Sequence, residues 1–389
     1  MSSVLPKARS GAVRRAAEPP SERCPLPVPF GWFFVSYSEE LKPGELRNIQ
    51  YFGSEWVLFR TQGGEPGVLE PYCAHLGAHL GHGGQVEGEA IRCPFHHWSY
   101  NTRGWCTKIP YAKVMPPVTK RQALMRALPV TEKHGIVWAW YHPQGAAPHW
   151  EVPQIPELAD PDYLAPQRGE WPVNTFIQEL GENGIDFAHL KFLHHAPMIP
   201  TGTCRADGIH WHVNMANGYI VIEQTGPGLQ VVRFTKGKVV TTMVSYPTPV
   251  SASRTIMRMG FTHRRYPEGS PEAQLAADML QEQVGQGKEQ QAGFESVDMI
   301  VWNNKRYRER PLLCDGDGRS SSGASISVSS TSSEPRAVTD PTAPPPAPRP
   351  ALPAESGRRR GSAHAVVRPH RECAGGIPRP TARWWGRSR

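Results

Sequence analysis

Two short motifs in the chain contain residues that could hold a metal cluster. Cys73-x-His75 is followed, after seventeen intervening residues, by Cys93-x-x-His96. Each motif supplies one thiolate and one imidazole, so the two thiolates can bind one iron of a [2Fe–2S] cluster and the two imidazoles the other. The glycine-rich segment between the motifs lets a loop fold over the inorganic sulfides and offer them N–H donors. The spacing therefore predicts a [2Fe–2S] cluster held by these four residues.

A zinc site is the alternative interpretation of the same motifs, because cysteine and histidine at short spacing also bind Zn²⁺. Zinc ligands usually come in CxxC or HxxxH pairs, whereas the mixed C-x-H and C-P-x-H pattern favours the iron–sulfur cluster. Two aromatic residues directly after the second motif, Trp98 and Tyr100, are candidates to tune or shield the cluster. Surface or loop-packing roles are expected for three histidines that fall outside the motifs, namely His79, His82 and His97.

A second group of possible metal ligands follows the pattern N-x-x-D-x-x-H-x-x-x-x-H, with Asn183, Asp186, His189 and His194. Two neutral imidazoles and one carboxylate form the facial triad of mononuclear non-haem Fe(II), which leaves coordination positions open. Five-residue spacing places the two imidazoles about 140° apart on an ideal helix. His194 must therefore lie past the helix end or across a π-type bulge, and His195 is kept as an alternative ligand.

The third ligand of such a triad should come from a distant segment, because a carboxylate in the same turn would crowd the two histidines. Asp298, in the sequence ESVDMIVWNNK, is the candidate. We expect it near the end of a long second helix. Its spacing alone favours an ordinary carboxylate on a helix surface, so the residues by themselves leave both interpretations open.

The elements that would position these residues begin with a small all-β domain, predicted for residues 27–142. Short strand-like runs (WFFVSY, EWVLFR and GIVWAWY) alternate there with Gly and Pro turns. Residues 143–318 form the next predicted domain, in which one helix spans residues 176–194. An antiparallel sheet is expected to follow it from the alternating segments GYIVIEQ, LQVVRFT, KVVTTMVSY and RTIMRMGF. Ser270, Pro271 and Glu272 then begin a helix predicted to reach Lys305, with a break at residues 285–287.

The two ends of the chain differ from these domains, and we predict that residues 1–26 and 319–389 are disordered. The second of them is dominated by Ser, Pro, Ala, Arg and Gly, which cannot bury enough apolar surface to fold. Its arginines carry the whole formal excess charge of +8, so we predict no nucleic-acid binding by the folded part. Seven scattered cysteines and the lack of a long apolar run predict a cytoplasmic protein without a transmembrane segment, with peripheral membrane contact left open.

The sequence resembles the Rieske non-haem iron oxygenases, and within them the sterol-acting branch of cholesterol 7-desaturases and 3-ketosteroid 9α-hydroxylases. The resemblance covers about residues 28–318 and rests on YCAHLGAHLGHGG, CPFHHWSYNTRGWCTKIPYA, ENGIDFAHLKFLH and VDMIVWNNKRYRERPLLCDGDG. It implies an α+β fold, in which a Rieske [2Fe–2S] β-sandwich domain precedes a helix-grip catalytic domain whose antiparallel sheet wraps a long helix.

The same resemblance implies roles for individual residues. Asp298 becomes the third iron ligand, and Asn183 lies near the iron in a role we leave open. Asp186 matches a carboxylate that bridges a cluster histidine of one subunit and an iron-ligating histidine of the next, in a head-to-tail homotrimer. Electrons from NAD(P)H would arrive through a separate ferredoxin or flavin reductase, because the chain has no GxGxxG motif. The implied activity is O₂-dependent oxidation of a sterol C–H bond, and most specifically 7,8-desaturation of cholesterol.

Two other functions stay open at this point. One is a Rieske monooxygenase that hydroxylates a ketosteroid or another ring substrate, and the other is a Rieske electron-transfer protein with a defective catalytic domain. The second arises because RSSSGASISVSS follows residue 318, where family members carry an aromatic, arginine-containing stretch similar to FRRFYQRF. We hypothesise a frameshift at this point, which the coding DNA would reveal.

Overall fold

The computed structural model describes residues 26–291, 297–308 and 310–314. Apart from Leu26, the two segments predicted to be disordered, residues 1–26 and 319–389, lie outside this part of the chain, and so does the hypothesised frameshift. The described residues combine extensive antiparallel sheet with few helices, as the α+β prediction requires. None of the described helices is both long enough and apolar enough to cross a membrane.

The N-terminal part of the described chain is built from strands in three small antiparallel sheets. The orders are β1-β11-β10, β2-β3-β4-β9 and β5-β6-β7-β8, with these bounds: β1 Gly31–Tyr37, β2 Leu46–Tyr51, β3 Ser54–Arg60, β4 Pro66–Leu69, β5 Gln85–Glu87, β6 Ala90–Arg92, β7 Ser99–Asn101, β8 Cys106–Lys108, β9 Ala127–Leu128, β10 Val130–Lys133 and β11 Ile136–Tyr141. The three runs predicted as strands correspond to β1, β3 and β11, which confirms them. Short 3₁₀ turns lie at Ser38–Glu40 and Pro117–Lys120.

The C-terminal part centres on one sheet of eight antiparallel strands. Seven follow the order β12-β19-β17-β16-β15-β14-β13, and β18 pairs with β19. Their bounds are β12 Gln167–Val173, β13 Gly202–Asp207, β14 His210–Met215, β15 Ile220–Thr225, β16 Gln230–Lys236, β17 Val239–Ser245, β18 Thr248–Ser251 and β19 Arg254–His263. The four alternating segments form β15, β16, β17 and β19 as predicted. A 3₁₀ turn at Ala216–Gly218 joins β14 to β15.

Five α-helices accompany this sheet in the described residues: α1 Pro156–Ala159, α2 Ile177–Asn183, α3 Phe187–Phe192, α4 Pro271–Gln291 and α5 Val297–Asn304. The prediction of one helix over residues 176–194 was wrong, because the chain breaks between α2 and α3. Asp186 is the N-cap of α3, and its Oδ1 accepts hydrogen bonds from the amides of Ala188 and His189. A capping carboxylate accepts hydrogen bonds from the first amides of a helix, which have no partner within it. Asp186 therefore starts a new helix.

The second long helix also differs from its prediction. Ser270 begins α4 as expected, since its Oγ accepts from the Ala273 amide at 3.1 Å. The predicted break at residues 285–287 was wrong, because α4 continues through them to Gln291. Leu280 and Val284 anchor α4 in the main hydrophobic core, and such packing outweighs the cost of about 1 kcal/mol for a glycine in a helix. Asp298 lies in the first turn of α5, which begins at Val297, whereas the prediction placed it near the end of a long helix.

The main hydrophobic core contains side chains from both predicted domains, including Phe33 and Leu58 from the first and Trp171 and Met257 from the second. The boundary at residue 142 stays a prediction. A buried arginine on β19 adds a polar connection across this region. Arg258 donates to Glu170 Oε2 at 2.7 Å and to the Tyr51 hydroxyl at 2.8 Å.

Replacing Arg258 with methionine should destabilise the protein, because the buried Tyr51 hydroxyl and the Glu170 carboxylate both lose a charged donor. The contribution of Glu170 is small, since that side chain is about half exposed. We expect a loss of about 2 kcal/mol, or roughly 4–8 °C in Tm, measured by thermal unfolding. The matched control is R205M on β13, where the arginine is exposed and the change should leave Tm within about 2 °C. An unchanged Tm for R258M would show that the arginine does not hold these elements together.

Candidate functional site

The four predicted cluster ligands lie on two loops with matching backbone structure, one between β4 and β5 and the other between β6 and β7. The Cys73 amide donates to the Ala78 carbonyl, and the Cys93 amide donates to the Trp98 carbonyl, so each loop closes over the same number of residues. The fourth residue after each cysteine has a positive φ, +73° at Gly77 and +60° at His97. The left-handed backbone turns each loop back over its own ligands. The two loops therefore present their Cys–His pairs, Cys73 with His75 and Cys93 with His96, on matching backbone.

The ligand side chains face each other across the two loops. Cys73 and Cys93 are 4% and 1% exposed, respectively, whereas the rings of His75 and His96 lie nearer the surface with centroids 4.8 Å apart. The Nδ1 atom of each histidine is buried and has no hydrogen-bond partner within the described residues. Such atoms are expected to have a partner, and a cluster iron would provide one. The residues present fit a [2Fe–2S] cluster.

Aromatic side chains surround the cluster site, as predicted for Trp98 and Tyr100. The Trp98 ring is parallel to the His75 ring within 5°, at a centroid distance of 4.6 Å. Its Nε1 donates to the Tyr111 hydroxyl at 2.9 Å. Sequence reasoning missed Tyr111, because a lone aromatic residue in a loop carries no spacing signal. The stacking and the hydrogen bond together fix the orientation of the His75 ring.

Tyr100 contacts one of the predicted ligand atoms directly, with its hydroxyl 3.1 Å from Cys73 Sγ. Burial, and then the bond to Cys73, raise the pKa of Tyr100, so the hydroxyl keeps its proton and would donate a hydrogen bond to Cys73 Sγ once that sulfur is a metal-bound thiolate. Hydrogen bonds to cluster sulfurs raise the reduction potential because they stabilise the more negative, reduced state. Tyr100 is thus placed to raise the reduction potential of a cluster bound at this site.

Replacing Tyr100 with phenylalanine should lower the reduction potential of the cluster without removing the cluster. The measurement is a redox titration followed by the visible spectrum of the full-length protein. Y111F is the matched control, because that hydroxyl accepts from Trp98, and its potential should move less. An unchanged potential in Y100F would show that the hydroxyl does not influence the cluster.

The second candidate site brings together three residues from two helices. His194 Nε2 lies 3.0 Å from Asp298 Oδ2, and the rings of His189 and His194 are 5.2 Å apart. The amide of His194 donates to the His189 carbonyl at 3.3 Å, an i to i−5 bond of the π type just past the end of α3. This is the geometry that the five-residue spacing demanded. His195 is exposed, and the structure places His194 in the group instead.

These three side chains fit a divalent iron ion. The hydrogen bond to Asp298 and the carboxylate charge raise the pKa of His194, while burial opposes them. Asp298 Oδ1 is buried without a hydrogen-bond partner in the described residues, as expected for an atom positioned to bind a metal. His189 Nδ1 contacts the Asp186 carbonyl oxygen, which leaves Nε2 available for a metal. Two imidazoles and one carboxylate are the donor set of mononuclear non-haem iron.

The other two predicted site residues, Asn183 and Asp186, lie at the end of α2 and at the start of α3. Asn183 is the last residue of α2 and is partly buried. The Asp186 side chain is exposed and uses Oδ1 to cap α3. Within one chain it is therefore a helix cap whose second carboxylate oxygen can face a partner.

Comparison with known protein families gives two matches that together span most of the described chain. The Rieske [2Fe-2S] domain model matches residues 31–121. The 3-ketosteroid 9alpha-hydroxylase C-terminal domain model matches residues 139–322. The first match contains the four cluster residues, and the second contains His189, His194 and Asp298.

Individual relatives agree with these matches. A cholesterol 7-desaturase of Xenopus laevis is 30% identical over 331 residues, which is 74% of this chain and 68% of that protein. A 3-ketosteroid-9-alpha-monooxygenase oxygenase component of Rhodococcus rhodochrous is 30% identical over 74% of this chain and 77% of its own length. A Ciona intestinalis cholesterol 7-desaturase is 35% identical, but only 35% of that protein is covered.

Solved structures with the same fold include dicamba monooxygenase bound to dicamba, with a TM-score of 0.56 at 18% identity over 74% of this chain and 92% of that one. Pseudomonas putida CBB5 NdmA also has a TM-score of 0.56 at 18% identity, over 74% of this chain and 85% of its own. At this level of identity the similarity is one of fold.

Proposed function

Because this chain belongs to the sterol-acting branch of the Rieske non-haem iron oxygenases, we propose that it uses O₂ and externally supplied electrons to oxidise a C–H bond of a sterol. The preferred reaction is 7,8-desaturation of cholesterol. The observation that carries the proposal is the convergence of His189, His194 and Asp298 in a chain that also contains the complete cluster motif. An electron carrier would need only the cluster, so the triad argues against a pure electron-transfer role.

In this proposal the chain's residues divide into two ligand sets. Cys73, His75, Cys93 and His96 hold the cluster, and His189, His194 and Asp298 hold the iron. When bound, the cluster supplies electrons one at a time, and the iron activates O₂ for removal of hydrogen from a C–H bond. The Asp186 carbonyl orients His189 through its Nδ1. Asn183 is proposed to lie near the iron.

We propose that the active assembly is a head-to-tail homotrimer in which the Asp186 carboxylate connects the cluster of one subunit to the iron of the next. Exposed apolar side chains beside the cluster ligands support a contact of this kind. Leu76 and Phe95, at the tips of the two loops, are 65% and 60% exposed, and large exposed apolar groups in a small area are typical of interaction surfaces. Asp186 is also exposed, as a residue that reaches another subunit must be.

A separate ferredoxin or flavin reductase is proposed to deliver electrons from NAD(P)H, in keeping with the words "oxygenase component" in the name of the Rhodococcus relative. The proposal includes a cytoplasmic location, supported by Cys106 and Cys204, which are not in disulfide bonds.

Product analysis tests the proposed reaction. The full-length protein, a reductase and NAD(P)H are incubated with a panel of sterols under O₂, and the products are identified by mass spectrometry. Desaturation removes two mass units and is the expected result with cholesterol. A gain of sixteen mass units, especially with a 3-ketosteroid, would support the second candidate, hydroxylation, which is favoured by the match of residues 139–322 to a ketosteroid hydroxylase domain. No product from any sterol would contradict the substrate class.

A further inference from the structure

A cluster of charged side chains connects the two helices that border the proposed iron site. Lys305 directly follows α5, and its Nζ contacts Glu179 Oε2. The same Nζ lies 3.9 Å from Glu182 Oε2. Both glutamates are on α2, so one lysine at the end of α5 serves two carboxylates on the neighbouring helix. Neither the metal ligands nor the proposed electron route includes these residues.

The glutamates of this cluster depend on the lysine, because burial disfavours their charged form. The side chain of Glu179 is only 2% exposed, and burial raises its pKa against the effect of Lys305. Burial and the negative charge of Glu179 raise the pKa of Glu182 to about 7, while Lys305 lowers it. A buried carboxylate without a positive partner is costly. The position of Lys305, and with it the end of α5, is therefore tied to α2.

The connection matters because the iron ligands come from the two sides of this contact. Asp298 lies in the first turn of α5. On the other side, the Glu182 carbonyl accepts from the amides of Ile185 and Asp186, which sets the turn into α3 and its histidines. A shift of α5 along α2 would change the distance between the carboxylate and the two imidazoles.

Two further contacts also hold the end of α5 against the segment that precedes α2. The Asn174 amide donates to Asn303 Oδ1 at 2.8 Å, and the Phe176 and Tyr307 rings meet edge to face at 5.8 Å. These contacts lie on both sides of Lys305 in sequence. The ion cluster is thus the charged part of a longer interface between the C-terminal end of α5 and the segment that leads into the triad.

We propose that Lys305, Glu179 and Glu182 form a positioning cluster that sets the location of Asp298 relative to His189 and His194, and so determines the affinity of the triad for its metal. This inference rests on the proposed function, since it takes the triad to be a metal site. The three residues act through Asp298 and do not bind the metal themselves.

The test is titration of the iron-depleted, cluster-containing full-length protein with Co²⁺, followed by difference absorption of the cobalt d–d bands. Lys305→Met alone could misfold, because it leaves Glu179 charged, buried and unpaired. The informative variant is therefore the double change Lys305→Met with Glu179→Gln, which removes the ion pair without leaving the 2% exposed Glu179 side chain charged and unpaired. We expect its Kd for Co²⁺ to rise at least about tenfold, the usual scale for residues that orient metal ligands, and its d–d bands to shift.

Two controls separate positioning from general stability. Lys305→Arg keeps the charge, and its Kd for Co²⁺ should stay close to that of the unchanged protein. Lys238→Met removes an exposed lysine in the turn between β16 and β17 and should change neither affinity nor bands. An unchanged Kd in the double variant, even with a lower Tm, would overturn the positioning role alone. Failure of the unchanged protein to bind Co²⁺ would overturn the proposed iron site together with this inference.

Discussion

Replacing His189 with alanine is expected to abolish turnover while the visible spectrum of the [2Fe–2S] cluster stays unchanged. The imidazole is one of three side chains that meet within 4.8 Å, and two remaining ligands would hold iron weakly. Changes to residues that merely support metal ligands typically cost 10–100-fold, so loss of a ligand should exceed about 100-fold. Product formation from a sterol, combined with iron analysis, measures both consequences.

The matched control for this change is H195N. His195 is exposed and has φ +58°, a backbone conformation that asparagine tolerates. We expect the control to keep its iron and its turnover, which would also settle which of the two neighbouring histidines binds the metal. Unchanged sterol turnover in H189A would instead remove His189 from the proposed iron site. The alternative of a Rieske electron-transfer protein, whose activity does not need the triad, would be favoured if neither H189A nor the unchanged protein forms a sterol product while both still pass electrons through the cluster.

Replacing Asp186 with asparagine should slow electron transfer to the iron without loss of either metal centre. Asparagine is as good an N-cap as aspartate, so α3 and its histidines should keep their positions, and only the negative charge is removed. The expected fall in turnover is at least about tenfold. The measurement is the rate at which O₂ and sterol reoxidise a chemically reduced cluster in the full-length protein.

D207N, at the exposed end of β13, is the control for loss of a surface carboxylate and should leave this rate unchanged. Equal reoxidation rates in D186N and the unchanged protein would remove Asp186 from the electron route. The proposed contact between subunits would then have to rest on other residues.

The paired loops that carry the predicted cluster ligands were predictable from sequence because all four residues lie in two short motifs. Backbone geometry within a loop depends on nearby residues, so C-x-H and C-P-x-H spacing is enough to specify it. Tyr111 was not predictable, because it reaches Trp98 only through the fold. The contact of Tyr100 with Cys73 likewise depends on how β7 packs beneath the first loop.

The triad was only partly predictable. The five-residue spacing of His189 and His194 correctly required a position past the helix end, and the structure supplies it through an i to i−5 hydrogen bond. Asp298 was a candidate from the sequence, but only the resemblance favoured it over an ordinary helix-surface carboxylate, because its proximity to His194 depends on how α5 packs and not on any local pattern. The break before α3 was missed although Asp186 is a strong N-cap, since the surrounding apolar residues continue the helical pattern.

The strands of the large sheet were likewise predictable only where a local sequence pattern marked them. Segments with clear alternation, such as β15 and β17, were identified from their pattern. β12, β13, β14 and β18 were not, and β13 is largely exposed, so it lacks the alternation that marks a half-buried strand. Their places in the sheet come from pairing with neighbours along the order β12-β19 and β15-β14-β13.

The count of iron and acid-labile sulfide in the purified full-length protein tests the central claim most directly, namely that one chain holds both a cluster and a separate iron. We predict three iron atoms and two sulfides per chain, with two of the irons in the cluster and one at His189, His194 and Asp298. Two irons with two sulfides, unchanged after incubation with excess Fe²⁺, would contradict the claim and leave the chain with the cluster alone.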